Sequence, residues 1–189
     1  RVTMPKTLLT QTRSYGIAIA LLLVALVAAW FAYAPGLGGS LHFDDPNNLQ
    51  GLTSIHDLQS ALHFISSGIA GPLGRPLALA TFVPQAYAWP DATEILLRTN
   101  ILIHLLNGVL VTWLLYLLGR TRGQAETPAS LIAVSAAAMW MLMPILASSS
   151  LFIVQRMTTV SGTFMLLGAI AYLYARQPIE CAPIRSLSG

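Results

Sequence analysis

Two adjacent carboxylates, Asp44 and Asp45, stand in the run His42-Phe43-Asp44-Asp45-Pro46-Asn47. Neighbouring acids can act as a general base, as ligands for a divalent cation, or as a hook for a sugar hydroxyl. Pro46 disfavours helical geometry at Asp45 and is expected to stiffen its presentation. The plain alternative is a solvated turn with an Asx cap. Two arginines join this inventory: Arg75 in Gly74-Arg75-Pro76-Leu77 and Arg156 in Val154-Gln155-Arg156-Met157. A guanidinium offers a planar fork of donors matched to phosphate oxygens; contact with lipid head groups is the simpler use. Asn100, His104 and Asn107 recur at helical steps and form one polar stripe on an otherwise apolar helix. Polar groups in hydrocarbon must be paired, so the stripe faces protein or water, with hydrogen bonding between helices as the default. His104 has no second His or carboxylate at ligand spacing, so no metal site is expected there.

Apolar helices must position these groups. Of 189 residues, 55% are hydrophobic and 9% charged, against about a quarter charged in soluble domains. Such a chain cannot dress a water-facing surface, and an integral membrane protein is expected. The single Cys181 excludes an internal disulfide framework and a Cys-rich metal site. The net charge of +3 is scattered, with no basic block for nucleic acid.

A bilayer core needs about 20 apolar residues per helix. The expected fold is all-α with four transmembrane helices at 15–34, 95–118, 131–154 and 158–175, the third containing Pro144. Ala32-Tyr33-Ala34 imitates a signal-peptidase site, but the run is long and Pro35 follows, so an uncleaved span is expected. The remaining segments are an N-terminal segment 1–14, an external loop 35–94, a cytoplasmic loop 119–130 and a tail 176–189. Arg1, Lys6, Arg13, Arg120, Arg122, Arg176 and Arg185 fall on one side of this arrangement. By the positive-inside rule both termini are cytoplasmic. Asp44, Asp45, Asp57 and Asp91 then lie outside, where Arg156 breaks the rule. Within the external loop, Thr53 or Ser54 is the expected cap of a helix at about 54–67, with Ile55, Leu58, Leu62 and Ile65 or Ile69 on one face. Such an amphipathic helix either lies in the membrane interface or packs on the bundle.

Four pieces in order carry a resemblance. They are Phe43-Asp44-Asp45, Gly74-Arg75-Pro76-Leu77, the run from Asn100 through His104 and Asn107 to Gly108, and Val154-Gln155-Arg156-Met157. Together they resemble the N-terminal part of bacterial GT-C class membrane glycosyltransferases, whose members often carry tetratricopeptide repeats after the membrane domain. The resemblance implies a multi-pass protein of the bacterial inner membrane. It implies a polyprenyl-phosphate-linked sugar donor and transfer, with inversion, to a protein or lipid at the outer face. On it, Asp44 or Asp45 is the catalytic acid of the first external loop, as base or as ligand of a divalent cation, and Arg75 and Arg156 hold the lipid phosphate. The pattern departs at Met143-Pro144, where the family tends to show His-Pro, and the family's membrane domain has many more helices than four. These departures favour a non-catalytic subunit packing with other membrane protein subunits in a larger complex. The alternative is the N-terminal module of the transferase itself.

Overall fold

In a computed structural model the chain is described over residues 6–42, 44–69 and 71–180, with side chains described over 15–42, 44–69 and 71–176. Phe43, part of the tail 176–189 and the start of the segment 1–14 lie outside the described residues, as do Arg1, Cys181 and Arg185. All regular structure among the described residues is helical: α1 (Lys6–Tyr33), α2 (Asp44–Leu49), α3 (Leu58–Ser66), α4 (Pro76–Ala80), α5 (Thr93–Thr121), α6 (Glu126–Met141), α7 (Ala147–Leu151) and α8 (Arg156–Glu180). Three segments are long and apolar enough to cross a membrane: 15–38, 93–121 and 156–176. The expected third span is broken, because α6 and the 144–151 segment meet at 57°. The missing N–H of Pro144 and its clash with the preceding turn stop a helix that apolar composition alone would carry through. Counted as one crossing, the bent pair brings the total to four.

The central element is α5, which packs against α6 on one side and α8 on another, while α1 packs mainly on α6. Gly108 permits the close approach of α5 and α6, since any Cβ there would collide with the Met141 side chain. Contacts at the helix ends show that consecutive long helices alternate in direction. Tyr33, at the end of α1, donates to the Met141 carbonyl at the end of α6. At the opposite end the Tyr15 and Tyr116 hydroxyls pair at 3.4 Å, near the Arg120–Glu126 ion pair. The loop and the α7–α8 turn therefore share one end of the bundle, and the α5–α6 turn occupies the other.

The loop folds as a cap over the first turns of α5 and α8. Leu49, Leu52, Phe64, Leu79, Phe82 and Trp89 bury together with Leu96, Leu97, Ile153 and Met157. The helix expected at 54–67 begins later, at Leu58, and its cap is Asp57 rather than Thr53 or Ser54. The Asp57 carboxylate accepts from the Ser60 N–H at 2.7 Å, and the Ser60 hydroxyl accepts from the Asp57 N–H at 3.0 Å. This reciprocal box satisfies two amides at once and fixes the helix start at Leu58. Of the two expected placements of its apolar face, packing on the bundle is not met at Leu58 and Leu62, which stay 76% and 57% exposed, while Ala61 and Phe64 are buried.

Candidate functional site

The two adjacent acids have opposite fates. Both lie in α2, and Asp45 is helical despite the following proline. Pro46 is tolerated there because a first-turn N–H has no intrahelical partner to lose. The Asp45 carboxylate is completely buried. One oxygen accepts from the His42 N–H at 2.8 Å and the other from the Val154 N–H, also at 2.8 Å. It is thus a staple between the loop and the α7–α8 turn, with both oxygens occupied. The side chain of Asp44 faces outward. Of the pair, Asp44 alone is placed to meet a ligand or a cation. Among the described residues no group of three or more His, Cys, Asp or Glu is arranged to hold a metal ion.

Arg75 reaches the same place from the far end of the loop. Its backbone is left-handed (φ 53°, ψ 52°) and it precedes Pro76 at the first position of α4. A non-glycine residue rarely holds this conformation. The segment before it is pinned by Gly68 and Gly74, whose backbones pass so closely that a Cβ on either would collide with the other. Asp44, Asn47, Asn48, Arg75 and Gln155 line one polar cleft of about 310 Å³, with Ile69, Val154 and Met157 as its apolar edges. One carboxylate, one guanidinium and three amides make a surface suited to phosphate oxygens and sugar hydroxyls. A wider hollow of about 470 Å³ beside α3 is lined by Asp57, Ser60 and His63. There Asp57 and Ser60 are already committed to the cap, and their hydrogen bond holds the Asp57 carboxyl below its ordinary range.

Arg156 does not line the cleft. It is completely buried, and its guanidinium points into the protein. Nε donates to Asn100 Oδ1 at 2.7 Å, Nη1 to the Thr81 carbonyl at 3.1 Å and Nη2 to the Leu96 carbonyl at 2.8 Å. The Phe82 ring lies 4.0 Å beneath it. Of the two arginines, Arg75 alone lines the cleft. Arg156 instead joins the end of α4 to α5 and α8.

The polar stripe on α5 faces protein throughout. Asn100 donates to the Phe152 and Ile153 carbonyls at 2.9 and 3.2 Å. The His104 ring contacts the Met141 carbonyl at 3.0 Å and lies between Tyr33 and Trp140. Asn107 donates to the Thr159 carbonyl at 2.9 Å and accepts from the Thr163 hydroxyl at 2.7 Å. His104 and Asn107 thus bond from helix to helix, whereas Asn100 donates to the turn between α7 and α8. The cleft residues that sequence alone did not single out are Asn47, Asn48 and Gln155. Gln155 adjoins Arg156, and Asn47 and Asn48 follow Asp45 by two and three residues; that proximity was the only signal.

No protein-family model, curated protein or solved structure matches the chain.

Proposed function

We propose that this chain is the loop-bearing front module of a GT-C-like glycosyltransferase of the bacterial inner membrane, with its termini in the cytoplasm and its cleft at the outer face. Arg75 receives the phosphate of a polyprenyl-phosphate-linked sugar, and Asp44 faces the acceptor hydroxyl as general base. The observation that carries this reading is the convergence of Asp44 and Arg75 on one polar cleft from opposite ends of the loop. The basic residues support the orientation: Lys6, Arg13, Arg120, Arg122 and Arg176 lie towards the far end, against Arg75, Arg98 and Arg156 at the loop end. In membrane vesicles holding the full chain, Asp44→Asn is expected to abolish transfer of a lipid-linked sugar without lowering the amount of protein. Arg75→Gln is expected to weaken binding of undecaprenyl phosphate ~10-fold or more, the worth of a charge-assisted bond. Wild-type behaviour of both variants overturns the proposal.

A second reading, a non-catalytic subunit of a larger membrane complex, is favoured by one observation. The span in α8 is the least covered of the candidate spans, which leaves an apolar face for helices of other subunits. It predicts co-purification at fixed stoichiometry after mild solubilisation, together with tolerance of Asp44→Asn. Recovery as a lone monomer rejects it.

A further inference from the structure

We propose that Gln155 is a ligand-contacting residue of the cleft, presented by two buried clamps, and that Asp45 and Arg156 are positioning residues acting through it. This deepens the function proposed above and rests on it for the identity of the ligand. Gln155 sits between two fixed points of the chain. On one side the Val154 N–H is held by the buried Asp45 carboxylate at 2.8 Å. On the other, the Arg156 guanidinium is anchored to Asn100, Thr81 and Leu96. Two fully buried ionic side chains thus bracket a single residue, and that residue lines the same cleft as Asp44 and Arg75.

The orientation of the Gln155 amide is also set. The Thr158 hydroxyl donates to its Oε1 at 2.8 Å, so the acceptor end of the amide is occupied and the Nε2 donors remain for the cleft. A second donor in the cleft that Arg75 lines suits an oxygen-rich anion, a phosphate above all, and not a second cation. Thr158 itself lies outside the cleft lining. Arg156 grips the carbonyl of Thr81, the C-cap of α4, whose N-cap is Arg75. The same clamp therefore holds both donors, one at each end of its reach.

The test uses the full chain in nanodiscs, with undecaprenyl phosphate as probe and thermal unfolding measured alongside. Gln155→Leu is expected to bind ~10-fold more weakly at an unchanged Tm, since one bond to a charged oxygen is lost and nothing buried is orphaned. Gln155→Glu is expected to bind more weakly still, because it sets a carboxylate against the phosphate. Thr158→Val is expected to give an intermediate loss, because it only releases the amide to turn. Wild-type binding by both Gln155 variants, while Arg75→Gln is impaired, overturns this inference and leaves the proposed function standing. If Gln155→Leu loses Tm in step with binding, its amide is structural and the inference also falls. If Arg75→Gln binds like wild type while Gln155→Leu does not, the Gln155 contact stands and the phosphate role of Arg75 falls. A wild-type chain that does not bind the probe overturns both.

Discussion

The two ends of the bundle handle their polar groups in opposite ways. At the loop end Asp45, Asn100 and Arg156 are buried and linked through shared segments, so each bond depends on another. At the other end the polar contacts are exposed pairs: Tyr15 with Tyr116, Trp113 with Tyr174 and Arg120 with Glu126. Buried networks are costly to leave half-made, whereas exposed pairs add little. The lesson is that the loop end is specified as a unit, while the far end tolerates change one residue at a time.

This contrast can be broken or sharpened by substitution. The largest expected effect is that of Arg156→Ala, which orphans Asn100 Oδ1 and the Thr81 carbonyl and strips the Leu96 carbonyl of its second donor. At about 1–3 kcal/mol for each unsatisfied buried group, unfolding in detergent should show a loss of roughly 3 kcal/mol or more. Retention of wild-type stability would dissolve the proposed distinction between the ends. Asp45→Ala comes next: it frees two half-buried N–H groups, for a loss of about 1–2 kcal/mol and faster amide exchange at Val154. Asp44→Asn, one residue away, should leave Tm unchanged, so the two neighbours offer an internal control. Arg120→Gln at the far end should change stability by less than about 0.5 kcal/mol. The smallest effect concerns pH. Because the folded Asp57 carboxyl titrates below its unfolded value, its cap is fully formed above the unfolded value, near pH 4. The contribution is lost as pH falls through the lower, folded value. Exchange of α3 amides should therefore quicken below about pH 4, and Asp57→Asn should remove that pH dependence.

The long apolar runs were legible because hydrocarbon thickness sets helix length, and the stripe of Asn100, His104 and Asn107 was legible because helical spacing puts it on one face. The break after Met141 was harder to see. Pro144 sits among residues as apolar as the span itself, and composition does not report a bend. Two neighbouring aspartates look alike in a sequence, and only the fold of the loop decides which one the Val154 amide reaches. Arg156 violates the charge bias of its flank, which flagged it correctly as unusual. Its destination could not be read, because the acceptors at Thr81 and Leu96 are backbone atoms common to every residue. The cap of α3 was misplaced for a related reason: Thr53, Ser54 and Asp57 are all competent caps, and Ser54 with Asp57 spells a capping box as well as Asp57 with Ser60 does.

The early stop of α6 has one more consequence. An uninterrupted helix would have consumed the Met141 carbonyl in its own ladder. Released by the bend, that single oxygen becomes a mooring point where the Tyr33 hydroxyl and the His104 ring tie up from two other helices. Straightening the kink would withdraw the mooring and cast both off together, so the proline three residues on governs how three helices meet without touching any of their shared atoms.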